Sequence, residues 1–191
     1  VPPGKYKAVV KAGSLTDSTV LTVHYDPRSS FNEAVYQAQA QSLRELEAAT
    51  LRLTTALDQL NDMEDATKKI EAALKDVTGK PADSLRKSTR QMQDSIKAIR
   101  EFVNGKEQTK QGYGSPYQLT VTGKIREAQG LITGKKTIPG AQEAQAIQTA
   151  ATLVQQAVNK TTQFARGAWA RYQQQARQTP LDPFGQITPM E

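Results

Sequence analysis

The sequence predicts a mainly α protein: an antiparallel bundle of three long helices and one short one, preceded by a β-hairpin. Three observations lead there. Residues 1 to 27 look like β structure, with alternation of period two in "GKYKAVVKAG" and a second strand in "TVLTVHY". From Phe31 the apolar spacing changes to steps of three and four, and no Gly or Pro interrupts it as far as Thr78. The chain is 37% hydrophobic and 23% charged, with aromatics at 6%. Such a chain suits thin seams between helices better than a thick globular core.

In the first strand Tyr6, Ala8, Val10 and Ala12 alternate with Lys5, Lys7, Val9 and Lys11. The turn "GSLTDS" follows, and the second strand sets Leu21 and Val23 on one face. Two strands by themselves are marginal in water. The hairpin must therefore complete a sheet elsewhere or lie on the helices. Pro27 ends the second strand by withholding a backbone donor. Ser29 and Ser30 then offer a helix cap, with Glu33 completing a capping box with Ser30.

The first helix is expected over Phe31 to Thr78, with Leu43, Leu46, Leu53, Leu57, Leu60, Ile70 and Leu74 on its seam. "TGKP" breaks it, Gly79 serving as a left-handed cap and Pro81 opening the next helix. That second helix runs to Asn104, with Leu85, Met92, Ile96, Ile99 and Val103 on one face. The polar connector "NGKEQTKQGYGSP" precedes a shorter helix over Tyr117 to Leu131. After "TGKKTIPG" the last helix is expected from Gly140 to Arg177, on a small-residue seam of Ala151, Val154, Val158, Thr161, Ala165, Ala168 and Tyr172. The division is thus a hairpin over 1–28, a bundle over 29–178 and an extended, proline-bearing tail over 179–191, where Phe184 and Ile187 would pin the tail to the bundle.

Chemistry is sparse. Cysteine is absent, which removes thiol catalysis, disulfides and thiolate metal sites. His24 is the one histidine; a catalytic histidine needs a nucleophile or acid partner and a metal site needs several ligands, whereas this one sits at the end of a strand on the face opposite Val23. Asp58, Asp62, Glu64 and Asp65 form an acidic run, but Glu64 and Asp65 precede Lys68 and Lys69 by four residues, the order favoured for helical ion pairs. "VTGK" at Val121–Lys124 and "ITGKK" at Ile132–Lys136 lack the full spacing of a phosphate loop and read as breaks in helices. "NKT" at Asn159–Thr161 falls inside a helix. No catalytic, cofactor-binding or metal-binding residue emerges, and no cofactor is expected. The net charge of +6 is spread among acids, which argues against nucleic acid as a partner. No run of about 18 apolar residues marks a membrane span. Two aromatic groups are candidate interaction surfaces: Tyr113 and Tyr117 in the Gly- and Pro-flanked connector, and Phe164, Trp169 and Tyr172 late in the last helix.

The motif "PPGKYKAVVKAG…TVLTVHYDPR", with Pro3, Gly4, Tyr6, Gly13, Leu21, Val23, Asp26, Pro27 and Arg28 in place, resembles the C-terminal region of bacterial sortilin-like, Asp-box β-propeller proteins, often labelled glycosyl hydrolases. The run "LTTALDQLNDMEDATKKIEAAL" and a late helix opened by Pro139 are similar as well. The resemblance implies that the hairpin closes an Ig-like β-sandwich lying upstream of Val1, in keeping with the opening "VPPGKY", which has no Met and reads like the middle of a protein, so that a processed product or fragment is expected. It implies a non-catalytic C-terminal module of a large secreted or surface protein, outside the bacterial cell or in its periplasm. The partners would be the upstream propeller and sandwich, with other surface proteins or carbohydrate as further candidates. Asp26, Pro27 and Arg28 would form the joint, Arg28 pairing with Asp26 or with acids on a helix. Two alternatives stand beside this reading: part of a glycoside hydrolase whose active site lies upstream, and a polyanion-binding helical bundle.

Overall fold

A computed structural model describes residues 3–26, 28, 32–106 and 118–181. It shows the expected class: an N-terminal antiparallel hairpin and a helical bundle. Strands β1 (Gly4–Ala12) and β2 (Leu15–Val23) pair from Gly4↔Val23 to Ala12↔Leu15. The turn between them is only Gly13 and Ser14, shorter than the six-residue stretch expected. Gly13 has φ +61°, and no non-Gly residue among those described has positive φ. Left-handed backbone at the first central position fits the type II′ turn that matches strand twist.

The helices are α1 (Glu33–Ala73), α2 (Lys80–Asn104), α3 (Val121–Gly134) and α4 (Ala141–Phe164), the last continuing through a π turn (Ala165–Trp169) into α5 (Ala170–Gln178). The cap of α1 differs from expectation. Asn32 is the N-cap, its side chain accepting from Val35 N at 3.1 Å. This puts Glu33 at the first helical position rather than at the far corner of a capping box. Ser29, Ser30 and Phe31 lie outside the described residues. At the start of α2, Gly79 has φ +114° and Pro81 sits in the first turn, as the sequence predicts. α3 begins later than expected because Thr120 caps it, accepting from Gly123 N at 2.9 Å.

The core is layered along α1, about 60 Å long at 1.5 Å per residue. At one end Leu46 meets Ala128, Ile132 and Ala150. In the middle Leu53 meets Val103, Val121, Val154 and Ala157. At the other end Leu60, Met63 and Leu74 pack with Ala82, Leu85, Met92, Trp169 and Tyr172. This order fixes the topology. α1 runs up, α2 and α3 run down end to end in one position, and α4 with α5 runs up again. Four helices thus fill three places in cross-section.

The buried positions repeat every seventh residue. One row on α1 is Gln39, Leu46, Leu53, Leu60 and Thr67, continued by Leu74 at its C-cap, with Val35, Ala56 and Met63 beside it; on α2, Ala82, Thr89, Ile96 and Val103 are interleaved with Leu85, Met92 and Ile99. A seven-residue repeat keeps one stripe facing its partners through a left-handed supercoil. On α4 the repeat reads Glu143, Ala150 and Ala157, and Val154 then Thr161. The next step would bury Ala168, yet Trp169 and then Tyr172 are buried instead. The π turn supplies the difference, since it takes up one residue more than an α turn. Of the seam expected from sequence, Val154, Thr161 and Tyr172 are buried, while Ala150 and Ala157 take the places of Ala151 and Val158, and Trp169 replaces Ala168.

Helix ends are closed by side chains from other helices. Gln39 of α1 donates to Ile132 O at 3.0 Å and Lys135 O at 2.6 Å, satisfying carbonyls at the end of α3. Arg86 of α2 donates to Leu74 O at 2.6 Å and to Val77 O, closing α1. Gln118 bonds both backbone groups of Lys106, at 2.6 and 3.1 Å, and so ties together the two ends of the connector between α2 and α3.

Candidate functional site

The hairpin is the most unusual surface. Directly paired residues share a face, so the register puts Tyr6, Ala8, Val10, Ala12, Leu15, Thr19, Leu21 and Val23 on one side, interrupted by Asp17. Lys5, Lys7, Lys11, Thr16, Ser18 and Thr22 lie on the other, with Val9 and Val20. One side is apolar and the other lysine- and threonine-rich, the division of a sheet with one face packed and one in water. Among the described residues much of the apolar side is uncovered: Val10 is 67% exposed, Leu15 75% and Leu21 53%. Among the described residues the sheet has two strands only, so each strand keeps an open edge.

The joint is local. Asp26 Oδ1 accepts from Arg28 N and Nε, both at 3.0 Å, and Oδ2 accepts from Nη2 at 3.0 Å. Arg28 therefore closes on Asp26 and not on an acid of the bundle. The guanidinium holds the Asp26 carboxyl below its ordinary pKa. Both side chains are open to water, so the pair shapes the turn but adds little to stability. An aromatic contact reaches the bundle: Tyr25 meets Tyr36 of α1 edge to face, centroids 5.9 Å apart. Partial desolvation, with the charge of Glu33, raises the Tyr25 pKa. Sequence reasoning missed this pair, although Tyr25 is the last apolar residue before the strand stop. Pro27 of the joint lies outside the described residues, as do Tyr113 and Tyr117 of the connector and Phe184 and Ile187 of the tail.

The late aromatic group divides. Trp169 and Tyr172 are core residues, 7% and 2% exposed, and so are not the interaction surface expected of them. Their rings lie 5.2 Å apart, and Tyr172 Oη shares a hydrogen bond with Thr89 Oγ1 at 3.0 Å. Burial raises the Tyr172 pKa. The π turn that rephases α4 is what draws them inward. Phe164 stays half-buried and lines an open groove of about 470 Å³ between α2 and α4, with Phe102, Gly167 and Ala168 on its wall. Lys160 stands over the Phe102 ring at 5.2 Å from its centroid.

The polar clusters take structural parts. His24 is exposed just beyond β2. Glu64 pairs with Lys68 at 3.1 Å and with Arg100 at 2.6 Å, and Asp65 reaches Lys68 rather than Lys69. No group of three or more His, Cys, Asp or Glu converges on a metal-sized site among the described residues. The first Gly-Lys motif is the opening turn of α3, and the second is its end. Glu143, only 2% exposed, lies in the first turn of α4. Its carboxylate accepts from Lys135 Nζ at 2.9 and 3.0 Å and from Gly140 N at 2.6 Å. Lys135 holds it below the ordinary carboxylate pKa. The group locks the α3–α4 connection; every oxygen faces a donor from that connection, so it is poorly placed for acid–base work. Among the described residues no helix is long and apolar enough to cross a membrane.

Compared with protein-family models, characterised proteins and solved structures, the chain finds no match in any of the three.

Proposed function

We propose that this chain is a non-catalytic structural and interaction module: a rigid three-position helical bundle carrying a hairpin that completes a larger β-sheet. The observation that supports the reading is the apolar face of β1 and β2, which is uncovered among the described residues. Val10, Leu15 and Leu21 stand exposed on a ribbon that has too few strands to be stable by itself. An exposed apolar patch with polar surroundings marks a contact site. Its alternation is that of a sandwich sheet, apolar inward and Lys/Thr outward. The resemblance to the end of Asp-box propeller proteins names the partner, an Ig-like sandwich joined to a propeller. Placement on a bacterial surface or in the periplasm rests on that resemblance.

Amide exchange tests the reading. In the chain by itself, β1 and β2 amides should exchange far faster than those of the α1 seam. Joined to the strands of such a sandwich, they should slow at least tenfold. Hairpin amides as protected in the chain by itself as those of α1 would overturn the proposal, since the ribbon would then need no partner. Hydrolysis of sugar polymers by the chain itself, lost on replacing one of its carboxylates, would overturn the non-catalytic part.

A further inference from the structure

A second surface, independent of the hairpin, lies where α1 and α2 pack. On α2, Arg86, Gln93 and Arg100 stand seven residues apart and each reaches across to α1. Arg86 closes the end of α1, Gln93 donates to Glu71 Oε2 at 3.0 Å, and Arg100 meets Asn61 and Glu64, each at 2.6 Å. Between these rungs the groove widens into hollows of about 470 and 350 Å³, and Lys68 lines both. Their walls carry six cations, Lys68, Lys75, Arg86, Arg90, Lys97 and Arg100, against two carboxylates, Glu64 and Glu71. Both carboxylates are already engaged, Glu64 by Lys68 and Arg100 and Glu71 by Gln93. The side chains of Lys75 and Arg90 have no partner among the described residues.

We propose that the larger hollow binds a multivalent oxyanion, carrying phosphate or sulfate-ester groups, through Lys75 and Arg90. Positive charge on a concave wall between two rigid helices concentrates its field and attracts anions. Arginine presents a fork that matches two oxygens of a tetrahedral anion, and lysine adds a point charge. The ligand would gather the two unpaired cations without breaking any rung. Neither hollow is lined by an aromatic ring, so the base stacking that holds single-stranded nucleic acid has no platform.

The test is calorimetric titration at low salt with inorganic tripolyphosphate, and in a second arm with a trisulfated heparin disaccharide. Saturable binding of one probe identifies the phosphate or the sulfate source, and binding of both supports the shared chemistry. The double variant Lys75→Gln/Arg90→Gln should bind at least tenfold more weakly and with a smaller salt dependence. The control Arg126→Gln/Lys136→Gln, on exposed cations of α3 and the connection after it, should bind as the parent does. Neither Lys75 nor Arg90 makes a side-chain bond within the described residues, so the double variant should keep the parent's unfolding midpoint. Absence of binding by both probes at low salt would overturn the proposal. So would equal affinity in parent and double variant, or an equal loss in the control.

Discussion

Deleting Gly167 should leave the bundle intact, whereas deleting Asn159 should wreck its upper half. Both residues lie on the same continuous helical rod, but Asn159 is in regular α-helix and Gly167 is in the π turn. Removing a residue from an α-helix rotates everything beyond it by about 100°. Without Asn159, and with the π turn kept, Trp169 and Tyr172 would leave the core; were the π turn to relax instead, the residues from Thr161 up to it, Thr161 and Phe164 among them, would still be turned off the seam. Truncating a buried aromatic costs roughly 3–5 kcal/mol, so losing both costs at least ~6 kcal/mol, comparable with the ~5–15 kcal/mol that holds a whole domain. Without Gly167 the π turn relaxes to an α turn, and Trp169 moves into the position that the seven-residue repeat of Val154 and Thr161 already assigns to the core. That deletion also removes a glycine from a helix interior, worth ~1 kcal/mol. Urea unfolding followed by helical circular dichroism should show the Gly167 deletion within ~1 kcal/mol of the parent, or above it. The Asn159 deletion should lose most of the cooperative transition. Equal damage from the two deletions would refute the claim that the π turn is a one-residue phase correction.

Gln39→Leu tests the cross-helix caps. It extends an apolar seam, so pattern reasoning expects a gain; but it strips the donor from Ile132 O and Lys135 O, and buried unpaired groups cost ~1–3 kcal/mol, so net loss is expected in urea unfolding. A stabilised Gln39→Leu variant would show that these carbonyls need no cap. Glu143→Gln tests the lock on α4. Because the folded carboxyl has a lowered pKa, its contribution is present above the unfolded pKa and fades as pH falls through the folded one. The parent should therefore exceed the variant in stability at neutral pH, with the gap closing in acid; a gap independent of pH would exclude the ion pair as its source.

The fold class was legible because helical and strand periods differ so clearly at the Asp26–Arg28 boundary. Helix ends were legible where the chain itself carries the signal, as at Gly79 and Pro81. They were misjudged where neighbouring residues competed for the same role, as with Asn32 against Ser30. The seam of α4 was read one residue off at Ala150 and Ala157, because Ala, Thr and Val stand at adjacent positions and offer two stripes of similar character. Tyr172 already stood on the expected seam, but the burial of Trp169 in place of Ala168 required the π turn, which no local residue pattern announces.

The sequence by itself determined that this chain makes a hairpin followed by long amphipathic helices, since backbone preference and side-chain period are local properties. Only the tertiary structure decided which helices share a position, that Gln39 and Arg86 close the ends of other helices, and that Lys75 and Arg90 face one groove with no side-chain partner among the described residues. Those outcomes depend on residues far apart in the chain meeting across an interface. The amphipathic hairpin shows both sides at once: alternation sorts Val10, Leu15 and Leu21 from the lysines, but only the assembled fold shows that no described residue of the bundle covers them.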